Sequence, residues 1–234
     1  ITNLGPVKYF LGWEISRAGG TMTISQSKYI RDLLLRFDMG DCKPVNTPME
    51  SNQPLDTTLA PDVPYRELLG GLLWLATCTR PDISFAVGFI ARSQAAFKLS
   101  HWTWLKRILR YLQATPTLGL TYVKSGPTPD IDLELFCDAD HSTKAVGKST
   151  SGILLQLSKK TVSWRSVQQP VVALSSTEAE YYALSDGMSE GLWLRHFLAE
   201  LGFPQGPTVT YEDNQGAIRA VLNAGDNLKR LKHI

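Results

Sequence analysis

The stretch LELFCDADHSTKAVGKSTSG, Leu133 to Gly152, places the tightest limit on what this chain can fold into. The segment IDLELFC alternates apolar and polar side chains, the pattern of a strand with one face in a core. That strand runs directly into two carboxylates, Asp138 and Asp140. Acids at a strand end either open a turn or ligate a hard cation. The rest of the chain has to decide between these two roles.

The residues after Gly152 continue the strand into an α/β unit. GILLQLS and KTVSWRS are two further strands, SSTEAEYYALSDGMSEGLWLRHFLAEL is a long helix, and PTVTYED is strand-like. NQGAIRAVLNAG reads as a last helix that stops at Gly225. Two more acidic positions stand at element ends in this order. Glu178 or Glu180 opens the long helix, and Asp213 lies between the last strand and last helix. Asp213 read alone is as well explained as a helix cap.

Helical geometry separates the two glutamates. Ser175-Ser176-Thr177-Glu178 forms a capping box, and Glu178 shares its face with Tyr182, Ser185 and Ser189. Glu180 instead falls on the line of Ala183, Leu184, Gly187, Gly191, Leu194 and Leu198, a small and apolar face that should meet the sheet. An acid on an inward face needs a partner. Glu180 is therefore the expected ligand and Glu178 the expected cap, although Thr177-x-x-Glu180 also fits a capping box. Converging carboxylates repel unless a cation sits among them, and oxygen ligands suit Mg²⁺ or Mn²⁺. Two such ions about 3.5–4 Å apart activate water and steady the leaving oxygen of a phosphodiester.

The upstream half has another character. VKYFLGWEIS and GTMTISQSKYI read as strands around Gly19-Gly20, and SQSKYIRDLLLRFDM reads as a helix with Ser27 as a possible cap. Residues 43–64 are rich in Pro, Thr and Asp and read as an extended connection. Helices are expected over residues 65–78, 82–97 and 100–113. In the third, Trp102, Leu105, Leu109 and Leu112 make an apolar stripe, with Lys106, Arg107 and Arg110 on another face.

The chain of 234 residues carries a net charge of +2, so any nucleic-acid surface must be local. Its three cysteines, Cys42, Cys78 and Cys137, form no C-x-x-C pair, which disfavours zinc and a disulfide framework and fits a reducing compartment. No apolar run is long enough to span a bilayer, and the N-terminus has no secretory pattern. Both ends read as cut from something longer.

Taken together, CDAD, KSTSG, VSWRS, QQPVVALSSTEAEYYAL, EGLWLR, YEDNQGAI and KHI resemble the ribonuclease H region of copia-type LTR retrotransposon Pol polyproteins. LGPVKYFLGWEI, ISQSKYIRDLLLRFDM, TPME, YRELLGGLLWLATCTRPDISFAVGFIARS and HWTWLKRILRYLQAT resemble the end of the reverse transcriptase and the connection after it. The resemblance implies the end of a palm and thumb over residues 1–46, a linker over 47–64, a helical connection over 65–126 and a ribonuclease H-like domain over 127–234. That domain should be a mixed five-stranded sheet with flanking helices. The implied activity is metal-dependent hydrolysis of RNA in an RNA–DNA hybrid, with Asp138, Glu180 and Asp213 as catalytic metal ligands for two Mg²⁺ ions, or Mn²⁺. Asp140, Glu178 and His233 take supporting places. Lys106, Arg107, Arg110, Lys148 and Arg165 are candidate phosphate contacts, and Ser176 and Gln215 candidate backbone or sugar contacts. The implied partners are the hybrid and the upstream palm and fingers of the same polyprotein, with no membrane. The implied setting is a cytoplasmic virus-like particle, with a nuclear stage, and not secretion.

The chain departs from the family pattern in three places. His141-Ser142-Thr143-Lys144 replaces the usual W-A-G-D, no histidine stands in Asn223–Asn227, and the Asp that usually follows K-H-I would lie past Ile234. No Y-x-D-D motif of a polymerase palm is present. The rival expectation is a non-catalytic hybrid-binding or scaffold remnant.

Overall fold

The structure is a computed structural model and describes residues 5–50, 56, 58–59, 62–124, 131–141 and 147–223. The chain divides into two compact units, Ile1–Lys124 and Ser125–Ile234.

The first unit joins an antiparallel sheet to a helical core. Its strands are β1 (Tyr9–Phe10), β2 (Trp13–Ala18), β3 (Thr21–Ser25) and β4 (Leu120–Val123), in that spatial order. Gly19 and Gly20 both take positive φ (56° and 77°), as a two-residue hairpin requires. The segment read as one strand, VKYFLGWEIS, is instead broken by a turn at Leu11-Gly12, where φ is 48° and 85°. The helices are α1 (Ser27–Arg36), α2 (Tyr65–Cys78), α3 (Ser84–Ala91) and α4 (Leu99–Ala114). Ser27 is the first helical residue and no cap; Gln26 takes that position without a side-chain cap bond. The helix expected over 82–97 is shorter, with a 3₁₀ turn at Pro81–Ile83 and an end at Ala91.

Ile30, Leu33 and Leu34 of α1 pack with Leu68, Leu72 and Leu75 of α2 and Leu105, Ile108 and Leu112 of α4. Beside this core Arg80 is fully buried. Its guanidinium donates to Asp82 at 2.7 and 2.9 Å and to the Thr115 carbonyl and hydroxyl at 2.9 and 2.7 Å. A buried charge is tolerable only with its donors satisfied in this way.

The second unit holds β5 (Leu133–Asp140), β6 (Thr150–Leu157), β7 (Lys160–Gln168), α5 (Ser176–Glu200), β8 (Val209–Tyr211) and α6 (Gln215–Leu222). The sheet order is β7-β6-β5-β8, with β5 antiparallel to β6 and parallel to β8. It is the mixed sheet with flanking helices that the resemblance implies, and four strands of it lie among the described residues. Every residue on the expected inward line of α5 is buried. Leu135, Cys137 and Leu155 meet that face from the sheet. Contact is closest at Gly187, where a Cβ would overlap the Cys137 sulfur. Among the described residues no helix is long and apolar enough to cross a membrane.

Gly187→Ala should gain about 1 kcal/mol in helix propensity. It is nonetheless expected to lower stability in urea unfolding, because overlap in a packed core costs about 1–3 kcal/mol. In a Cys137→Ala background the same change should become neutral or stabilising, which a double-mutant cycle reads directly.

Candidate metal centre

Parallel pairing of β5 and β8 sets two acids side by side. Phe136 lies opposite Tyr211, their rings stacked at 4.5 Å. Two residues further along each chain come Asp138 and Asp213. α5 crosses β5 and brings Glu180, in its second turn, to the same place. One carboxylate oxygen from each of Asp138, Glu180 and Asp213 lies within 4.8 Å of the others. Asp138 and Asp213 are exposed, whereas Glu180 is only 7% exposed.

Local structure removes the simpler explanation for each acid. Asp138 opens no turn, because β5 continues to Asp140 and pairs Asp138 with Gly152. Side chains directly opposite on a ladder share a face, so Gly152 leaves the space beside Asp138 open. Asp213 caps no helix, because Asn214 does so: its Oδ1 accepts from the Ala217 N–H at 3.0 Å. Glu178 belongs to the cap of α5, in which Ser175 is the N-cap residue. Ser175 Oγ accepts its N–H at 3.1 Å, and the Glu178 carboxylate reaches back to the Leu174 N–H at 2.7 Å. Thr177 forms no capping box with Glu180; its hydroxyl donates to Asn214 Oδ1 at 3.3 Å.

That Thr177–Asn214 bond ties the start of α5 to the start of α6. Gly216 makes the approach possible, since a Cβ there would lie 2.7 Å from Thr177 Oγ1. A second tie comes from Gln169, 1% exposed, whose side-chain N–H donates to Ser151 Oγ at 3.0 Å and to the Ala179 carbonyl at 2.8 Å. It pins the residue before Glu180 to the sheet. Sequence reading missed Gln169, although a Gln inside the strand-to-helix joint QQPVVAL is a usable signal. It also missed Glu212. That side chain bonds the Asn214 N–H at 3.0 Å through Oε1, while its Oε2 is buried with no donor.

The electrostatics are those of a site short of positive charge. Burial pushes the Glu180 carboxyl up to about 7, helped by Glu212, Asp138 and Asp213, while the Ala139 N–H pulls the other way. Glu212 is raised as well, by burial first. Glu180 Oε2 is buried and has no hydrogen-bond partner. A buried carboxylate oxygen without a donor, in a group of acids, could take a divalent cation as its partner. Cys137, beneath them, is pushed up to about 12 and is an inert thiol.

The remaining expected residues are spread over both units. Ser176 and Gln215 are the exposed first residues of α5 and α6, the two helices that flank the acids. Lys148 is exposed ahead of β6, and Asp140 is exposed at the end of β5. Arg165 on β7 pairs with Glu190 of α5 at 2.8 Å. Lys106, Arg107 and Arg110 belong to the first unit. There Arg107 pairs with Glu50 and donates to Thr47 Oγ1 at 2.9 Å, and Arg110 donates to the Lys43 carbonyl at 2.7 Å. These two arginines clamp the extended segment before residue 51, and Lys106 lies over the Trp102 ring. His233 and Lys144 lie outside the described residues.

Folded Glu180 holds its proton up to about 7, against an ordinary 4.5, so between those values the metal-free folded chain binds more protons than the unfolded one. Stability should therefore fall as pH rises through that window. Thermal unfolding across it should show the decline, Glu180→Gln should flatten it, and added Mg²⁺ should restore the loss at the alkaline end.

No family model matches the chain. It is 38% identical over 245 aligned residues to the retrovirus-related Pol polyprotein from transposon TNT 1-94 of Nicotiana tabacum, covering 99% of this chain and 18% of that protein. It is 37% identical over 195 residues to the uncharacterized mitochondrial protein AtMg00810 of Arabidopsis thaliana, covering 82% and 80% of the two chains. A solved structure of the foamy viral protease-reverse transcriptase dRH in complex with double-stranded DNA aligns with 91% of this chain and 32% of its own. The TM-score is 0.47 and the identity 13%. The chain thus spans less than a fifth of the Pol polyprotein it matches over nearly its whole length. On its identity to transposon Pol polyproteins over nearly its whole length, the chain belongs to the retrovirus-related Pol polyproteins of transposons, the copia-type family that its motifs resemble.

Proposed function

We propose that the second unit hydrolyses the RNA strand of RNA–DNA hybrids, using divalent cations held by Asp138, Glu180 and Asp213. One observation carries this reading: carboxylates from β5, α5 and the β8–α6 joint converge within 4.8 Å, and Glu180 among them has a buried, unpartnered oxygen. Bound Mg²⁺ or Mn²⁺ would supply an acidified water and charge stabilisation for the departing 3′ oxygen. The chain's own residues do the rest. Asp138 and Asp213 present exposed oxygens to the solvent side, and Glu180 anchors the centre from beneath. Gly152 keeps the approach beside Asp138 clear. The N-termini of α5 and α6 carry positive dipole ends suited to a phosphate backbone. Ser176 and Gln215 stand there to meet sugar and phosphate. Selection of RNA would rest on 2′-hydroxyl contacts in a wide minor groove, with no base readout.

We assign the first unit to the end of a reverse transcriptase and its connection, with residues 1–46 from palm and thumb, 47–64 as linker and 65–126 as connection. The upstream palm and fingers of the same polyprotein would be its partner. Without a Y-x-D-D motif this stretch would help to hold a primer–template and would not polymerise.

A labelled RNA–DNA hybrid incubated with the chain and Mg²⁺ should be cut within the RNA strand. Asp138→Asn should lower the rate more than about 100-fold, beyond the usual effect of losing an outer partner of a metal site. Equal cleavage by wild type and Asp138→Asn, or a folded chain that binds hybrid without cutting it, would overturn the reading. The second result would leave a scaffold in its place.

A further inference from the structure

Glu212 has no part in the triad, yet the fold sends it to the same spot. Tyr211 stacks on Phe136, so both rings stand on one face of the sheet. Alternation along β5 then directs Cys137 to the opposite face. The Cys137 sulfur touches α5 at Gly187, which identifies that face as the one under the helix. Glu212 follows the end of β8, close enough for its charge to push up both the Cys137 thiol and the Glu180 carboxyl.

Two oxygens mark the meeting place. Glu180 Oε2 and Glu212 Oε2 are the only buried carboxylate oxygens without a donor among the described residues. Glu180 as a whole is more than nine-tenths buried. Glu212 Oε1 is occupied by the Asn214 N–H, which fixes the carboxylate and leaves Oε2 with nothing to bond. Two neighbouring acids left short of donors carry an electrostatic cost that a proton relieves at low pH and a cation relieves above it. No lysine, arginine or histidine forms an ion pair with either among the described residues.

We infer that Glu212 is a fourth carboxylate of the centre, a buried charge behind Glu180 that raises its affinity for a hard divalent cation. This inference rests on the metal-centre reading above. Its role is positioning and charge, since the oxygens that converge are those of Asp138, Glu180 and Asp213. The cation gains attraction from a fourth negative group in a poorly solvated place, where Coulomb energies exceed their value in water. In exchange, the metal-free chain bears one more repulsive charge.

The test is Mn²⁺ titration of the full 234-residue chain, read by loss of the free-ion electron paramagnetic resonance signal, together with the metal-free thermal midpoint at alkaline pH. Glu212→Gln keeps the acceptor for the Asn214 N–H and removes only the charge. It should weaken Mn²⁺ binding about 10-fold, the lower end for outer partners of a metal site, and raise the metal-free midpoint. Glu212→Asp, which keeps the charge, should stay within about threefold of wild type and guards against a folding defect in the first variant. A merely structural Glu212 predicts the reverse pattern, with unchanged Mn²⁺ affinity and a lower or equal midpoint for Glu212→Gln; that result overturns the inference while leaving the centre standing. A wild-type chain that binds no Mn²⁺ overturns the centre itself and this inference with it.

Discussion

The contact between α5 and β5 is the interaction on which the rest of the second unit depends. Gly187 admits the Cys137 sulfur where any side chain would collide, and Gly191 lies over Leu135 and Leu155 in ordinary contact. The helix axis is thereby held close to the strand. That spacing lets Leu184, Leu194 and Leu198 complete the core, and it drives Glu180 down beside Asp138.

Such an arrangement stores unfavourable electrostatics, and neighbouring bonds hold it in place. Ser175 Oγ takes the Glu178 N–H and the Glu178 carboxylate takes the Leu174 N–H, which holds the start of α5 one turn before the acid. Gln169 fastens Ala179 to β6, and Thr177 fastens α5 to the cap of α6. None of these residues carries charge into the centre except Glu178, whose carboxylate is engaged by a backbone N–H. Apart from Glu178 the polar scaffold around the acids is neutral, which leaves the site's negative field uncancelled. That is the condition under which a dication is the natural complement.

The first unit solves a different problem. Its leucine-rich helices bury each other readily, but its irregular segments need polar fastening. Arg80 is closed in at the end of α2 by Asp82 and Thr115, linking the 3₁₀ turn to the end of α4. Arg107 and Arg110 hold residues 43–50 along α4. Basic residues that look like a nucleic-acid face in the sequence are here partly engaged with their own chain. A guanidinium has more donors than one loop uses, so this engagement and phosphate binding are compatible.

Much of the second unit is legible in the sequence. The helical period of α5 alone separates Glu180 from Glu178, because a residue two positions along a helix points about 200° away. The alternation in LELFC sets the buried face of β5. Other features lie beyond local pattern. A three-residue strand such as β8 has too little length for alternation to reveal that Glu212 turns inward. Adjacent Asp213 and Asn214 are equally good caps by type, and only the direction of the chain leaving β8 decides which one caps. The break at Leu11-Gly12, where both residues take positive φ, and the end of α3 at Ala91 interrupt periods that read as continuous. The sequence by itself determined which residues could face a core and which acids stood at element ends, because periodicity and capping are local properties. Only the tertiary structure decided which acids meet, because their distance is set by strand pairing and by the depth to which a glycine lets one helix sink.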